Sequence, residues 1–127
     1  MIKITRQQYL DAQAKVVEER GHDYVYPDAW RINETCQYVY DGKPGCIVGA
    51  SLAELGVPLV EMHKWEGVPA SSLFGRLAHE KVLAFEQGTM ELASRAQSVQ
   101  DRTDTLSPRN WGKAHEASLD EAVNYQF

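Results

Sequence analysis

The sequence predicts a mainly α fold, a compact bundle of about five helices with a small extended or β element near residues 23–40. Three observations carry this. Apolar residues recur at helical spacing through most of the chain. Gly21, Gly56, Gly67 and Gly88 fall where such stretches should end. Between residues 22 and 43 the period changes, and tyrosine and valine replace leucine and alanine. At 127 residues, with 43% hydrophobic and 24% charged content, the chain is long enough to bury a core without staples. We read 1–127 as one domain.

The first helix is set at residues 6–20. Thr5 and Gln8 make a T-x-x-Q capping box, in which each side chain satisfies the other residue's free backbone N–H. Ile4 and Tyr9 offer a hydrophobic staple, Leu10, Ala14 and Val17 an apolar stripe, and Gly21 a stop. The runs Asp23–Tyr26 and Gln37–Tyr40 end on Pro27 and Asp41-Gly42. They read as strands that pair, or as extended chain over the core.

Helix 2 should begin at Pro44 or Gly45 and end at Gly56. Ile47, Val48, Leu52 and Leu55 form its apolar face, and Gly49, Ala50 and Ala53 admit a close neighbour. Pro58 should open a short helix carrying Leu59, Met62 and Trp65, closed by Gly67. Ser71 or Ser72 should cap a helix running to about Gly88, with Leu73, Leu77, Val82, Leu83 and Phe85 inward. Thr89 should cap the next, burying Leu92, Ala96 and Val99. Ser107-Pro108 should start the last, with Trp111, Ala114 and His115 on one face. Asp101 or Gln97 is placed to accept from the Trp111 indole, which seeks a partner when buried.

Charge and composition narrow the function classes. A formal charge of −5 with interspersed signs argues against a phosphate-binding surface, which needs clustered Lys and Arg. The N-terminal segment lacks a signal peptide's apolar region, and no apolar run reaches the ~20 residues of a membrane span, so a cytoplasmic protein without a membrane partner is expected. Cys36 and Cys46 are too few for a disulfide framework and lack C-x-x-C spacing, so we expect reduced thiols. Cys46, His22, His63, His79 and His115 show no metal-ligand spacing, and no glycine-rich phosphate loop occurs, so no metal or cofactor is expected.

Three functional readings remain. Cys46 stands where a helix of small residues begins, and the positive end of a helix favours thiolate. With Gly56-Val57-Pro58-Leu59 following, it resembles the nucleophile helix of papain-like and NlpC-type cysteine hydrolases. That resemblance implies a histidine base, for which His79 is the candidate by chain order. Those enzymes carry the base on a strand, in a His-Val-Gly-like segment absent here. Residues 50–67 have the outline of a helix-turn-helix, but the second segment, Val60 to Trp65, brings one full positive charge to a would-be groove, too little for base reading. Glu18/Glu19 and Asp120/Glu121 read as solvated helix faces.

The aromatic residues favour the third reading. Three tryptophans and six tyrosines exceed what a small helical core requires, and aromatic side chains are enriched where proteins meet. Trp30, Trp65, Tyr38 and Tyr40 are the candidate contacts for a partner protein or a second copy of the chain. Thr5, Gln8, Cys46, Gly49, Gly56, Asp101 and Trp111 are assigned structural roles.

Pro44-x-Cys46-Ile47-Val48-Gly49, Leu55-Gly56-Val57, Gln97-x-x-Gln100-Asp101 and Trp111-Gly112-x-Ala114 together resemble small uncharacterised proteins of actinobacteria and their phages. Between the Gln-Asp and Trp-Gly pairs this chain is longer than the brief glycine turn of that group. The resemblance implies no activity. With no complete catalytic set, no cofactor loop and no basic surface, we expect a non-enzymatic accessory protein, a phage-encoded modulator acting on a host or phage protein in the host cytoplasm.

Overall fold

The computed structural model describes residues 1–32, 35–102 and 108–124. It is mainly helical, with six helices among those residues, five of them of seven residues or more, and a few short strands. Strand β1 (Ile2–Ile4) leads into helix α1 (Arg6–Arg20). Two antiparallel hairpins follow, β2 (Arg31–Ile32) with β3 (Thr35–Cys36) and β4 (Val39–Tyr40) with β5 (Lys43–Pro44). Then come α2 (Ile47–Glu54), α3 (Leu59–His63), α4 (Ala70–His79), β6 (Leu83–Phe85), α5 (Thr89–Gln100) and α6 (Trp111–Asn124).

Helix α1 has the expected bounds, and both halves of the Thr5/Gln8 capping box form, at 3.1 and 2.8 Å. Its buried side differs from the expected stripe. Ala14 is exposed, while Tyr9, Leu10, Ala12, Gln13, Val16 and Val17 face inward. Two neighbours cover that face, since α1 packs against both α2 and α6. The pairing of α5 with α6 is the most extensive helix contact, and α5 also packs against α4.

Several expected elements need correction. Residues 23–26 are not a strand. Instead, the carbonyls of His22 and Tyr24 accept the first amides of α6, from Gly112 at 2.9 Å and Trp111 at 2.8 Å. The strands near residue 40 pair locally, Val39 with Pro44 and Tyr40 with Lys43, around a turn where Asp41 and Gly42 both take positive φ.

The helix expected to reach Gly88 stops at His79. Lys81 adopts φ +60, its amide bonds to Ala78 O and the Val82 amide reaches back to Leu77 O. That is a Schellman stop with lysine where glycine is usual. Leu83–Phe85, read as helix, becomes β6 and pairs in parallel with β1.

Helix starts moved too. Helix α2 begins after Cys46, and Pro69, not Ser71 or Ser72, precedes α4. Gly88, in the left-handed region, precedes α5, so Thr89 is its first residue and leaves a buried hydroxyl without a hydrogen bond. Ser107 lies outside the described residues, and the cap of α6 is Asn110, whose Oδ1 accepts the Lys113 amide at 2.8 Å.

The buried apolar residues form one cluster, with Tyr9, Tyr26, Tyr38, Phe74 and Trp111 as its largest fully enclosed side chains. Gly49 lies inside it because a side chain has no room there: a Cβ would collide with the Tyr38 carbonyl. Gly56, at φ +96, turns the chain after α2.

Candidate functional site

A mainly apolar cleft of about 730 Å³ lies between the β4–β5 hairpin and α3. Val39 and Leu59 contribute to its lining, with Tyr40, Asp41 and Gly42 from the hairpin, Val60 and His63 from α3, and Gln37. Val60 is 66% exposed, a large aliphatic side chain on a five-residue helix. A volume of this size is in the range of ligand clefts.

The walls are fixed from behind by one carboxylate. Glu66, with its side chain only 11% exposed, accepts the Tyr38 amide at 2.6 Å and the Val39 amide at 3.0 Å. His63 Nδ1 lies 3.1 Å from the same Glu66 Oε2, which joins α3 to the hairpin. Each carboxylate oxygen therefore holds a backbone donor of β4 or its approach, and charge assistance strengthens both bonds.

The candidate binding residues divide sharply. Tyr40 lines the cleft and stacks on Trp30, ring centroids 4.4 Å apart at 17°. Trp30 in turn meets Tyr26 edge-on at 5.6 Å. Tyr38 is fully buried and presents nothing to a partner. Its hydroxyl donates to Val68 O and accepts from Gln97 Nε2, and burial pushes its phenol up. Trp65 is half-buried beneath the Arg76 guanidinium, 4.9 Å from the ring centroid, with its indole N–H enclosed and unbonded. Of the four, only Tyr40 lines the cleft, with Trp30 stacked behind it. Sequence reading missed Val60, Leu59 and His63 as cleft residues, because nothing in a five-residue helix shows which side it leaves uncovered.

The proposed nucleophile and base are not brought together. Cys46 is fully buried, His79 is exposed at the end of α4, and no hydrogen bond joins them. Cys46 does stand at the N-cap of α2, but its side chain makes no capping bond. Its amide donates to Gln37 O at 2.9 Å, which makes Cys36 its neighbour, and both cysteines are free. Burial, followed by the neighbouring Cys46 thiol, pushes the Cys36 thiol up.

The helix-turn-helix outline is present as α2 and α3 joined at Gly56, but its second helix offers little to a groove. Helix α3 spans only Leu59–His63 with Met62 buried, and Lys64 is paired with Glu61 at 3.0 Å. Among the described residues no group of three or more His, Cys, Asp or Glu could hold a metal ion, and no helix is long and apolar enough to cross a membrane.

Helix α5 supplies the polar interior that the sequence placed elsewhere. Gln100 Oε1, not Asp101 or Gln97, accepts the Trp111 indole at 3.1 Å, and it also takes the Ile47 amide at the start of α2, at 2.7 Å. Gln100 Nε2 donates to Asp101 Oδ1 at 2.7 Å. One turn earlier, Gln97 Oε1 accepts the Ala70 amide at the start of α4, at 2.7 Å, while its Nε2 donates to Cys36 Sγ at 3.0 Å. Two glutamines on one helix thus satisfy the first amides of two others. Burial pushes the Asp101 carboxyl up, against the Gln100 hydrogen bond and the Arg31 charge.

No protein-family model, curated protein sequence or solved structure matches the chain.

Proposed function

We propose that this chain is a non-enzymatic accessory protein that acts by binding another protein, through the cleft between the β4–β5 hairpin and α3. The observation that supports this is the cleft itself, walled by Val39, Tyr40, Leu59 and the exposed Val60 and braced by Glu66. An aromatic pair beside aliphatic side chains is the composition found at the centre of protein interfaces. The resemblance to small proteins of actinobacteria and their phages gives the setting, a phage-encoded modulator of a bacterial host. The hydrolase reading loses support from a nucleophile and base that do not meet.

The test is an affinity pull-down from actinobacterial lysate with the tagged protein and its Val60→Asp variant, read by mass spectrometry. Val60 is exposed, so the variant should melt with the parent. One host protein retained by the parent through salt washes and lost by the variant is the expected result. Recovery of the bait alone ends the stable-partner reading. Equal capture by both keeps a partner but removes this cleft.

A further inference from the structure

We infer that Cys36 and Cys46 form a redox-sensitive dithiol, which hydrogen peroxide closes to an intramolecular disulfide at the base of the hairpin walling the cleft. The placement is specific. Cys46 donates its amide to Gln37 O, the carbonyl next along the chain from Cys36, both thiols are buried side by side in the core, and Gln97 Nε2 donates to Cys36 Sγ at 3.0 Å. The backbone around them is already paired, Cys46 N to Gln37 O and Gly45 N to Tyr38 O, both at 2.9 Å. Everything between the two sulfurs along the chain is therefore the hairpin with Tyr40, Asp41 and Gly42 at its end. A disulfide needs the β-carbons of its cysteines within about 3.5–4.5 Å, and the backbone pairing of Cys46 with the residue after Cys36 brings the two side chains into that neighbourhood.

The chemistry closes with one co-reactant. One cysteine sulfur attacks an oxygen of hydrogen peroxide, the O–O bond breaks, and the departing hydroxide takes the thiol proton and leaves as water, giving a sulfenic acid. The other cysteine sulfur then attacks that sulfur, the S–O bond breaks and a second water leaves with the second thiol's proton. Two thiols have lost two electrons and two protons, and one peroxide has become two waters. Both cysteines are fully buried, so a small neutral oxidant suits them better than a bulky disulfide donor. A neighbouring resolving thiol intercepts the sulfenic acid before further oxidation.

The experiment treats the native protein with hydrogen peroxide, quenches it with catalase, and digests it with trypsin without reductant. The Lys43–Pro44 bond resists trypsin, so one peptide, 32–64, carries both cysteines. The expected result is that peptide lighter by about 2 Da, with its mass restored by dithiothreitol. In Cys36→Ser, dimedone should instead trap a sulfenic acid on Cys46. Amide exchange at Val39–Gly42 should slow in the oxidised parent. Closure only after denaturation, sulfinic acid in place of a disulfide, or a bond between two copies of the chain overturns the proposal. A disulfide that leaves exchange at Val39–Gly42 unchanged overturns its link to the cleft wall. Because the parent protein supplies the main reading, a poorly folding variant leaves the test intact.

Discussion

Trp111 Nε1 donates to Gln100 Oε1 across 3.1 Å, and the same oxygen receives the Ile47 amide at 2.7 Å. One amide oxygen therefore connects the last helix, the second helix and α5 inside the core. Trp111→Phe removes one of its donors and part of a fully buried ring, and should cost about 1–3 kcal/mol. Gln100→Met strands both donors in an apolar interior and should cost more than Trp111→Phe. Urea unfolding of the two variants checks the order. A Gln100→Met protein as stable as the parent would remove this hub.

Gly49→Ala is a second expected loss. A Cβ there meets the Tyr38 carbonyl, on the strand approach that Glu66 grips, and neither backbone can withdraw freely. Overpacking of this kind costs about 1–3 kcal/mol, occasionally more. Thermal melting of Gly49→Ala beside Ala50→Gly separates the clash from a general effect of changing α2.

The hairpin should depend on both oxygens of Glu66. Glu66→Gln turns an NH₂ group toward a backbone N–H that needs an acceptor, at a cost of about 1–3 kcal/mol. Hydrogen exchange should quicken at Tyr38 and Val39 before it changes in α5. Unaltered protection at those amides would show that the hairpin stands without the clamp.

His115 gives the stability a pH dependence with a defined sign. Tyr9 hydroxyl donates to Gln13 Oε1 at 2.8 Å, and Gln13 Nε2 lies 2.8 Å from His115 Nδ1. Burial, with the His22 charge adding to it, holds the folded imidazole below its ordinary value of 6.5, so the unfolded chain binds the proton more readily. Stability from this site is complete above pH 6.5 and is lost as pH falls through the folded value. Denaturant titrations at pH 7.5 and 5.5 should show the loss, and His115→Gln should shrink it. An equal loss in the variant would place the effect elsewhere.

Thiol labelling tests the packed state of Cys46 directly. With both cysteines fully buried, iodoacetamide should modify them slowly at neutral pH and quickly once denaturant is added. Rapid native labelling of Cys46 would restore the hydrolase reading. His79→Ala should leave the rate unchanged, because no hydrogen bond joins the two side chains.

Local signals in the sequence translated well where local chemistry decides the outcome. The Thr5/Gln8 box, the Gly21 stop, the small residue at Gly49 and the inward Leu92, Ala96 and Val99 are all in place. Sequence reading failed where a distant partner decides. Lys81 ends α4 in a conformation glycine favours, and Leu83–Phe85 then becomes a strand because Ile2–Ile4 is there to pair with it. Gln97 and Gln100 read as the polar end of a helix, yet they serve the starts of α4 and α2, far away along the chain. The cleft was legible only through Tyr40 and Trp30. Its aliphatic wall depends on which side of α3 is left uncovered, a matter of tertiary packing.

The parallel pairing of β1 with β6 also sets an order of events. Ile2, Lys3 and Ile4 take Leu83, Ala84 and Phe85 as partners, and Arg6 N donates to Glu86 Oε1 at 2.9 Å. On a ribosome, none of those partners exists until the chain from Ile4 to Leu83 has been made. Helix α1 can coil early from its own capping box, but the strand ahead of it must wait, unpaired, for a segment synthesised much later. Closing so long a loop is slow compared with forming a helix. The α1–α2 unit can thus gather first, with docking of β1 as a late step that fastens it to β6, made long after it.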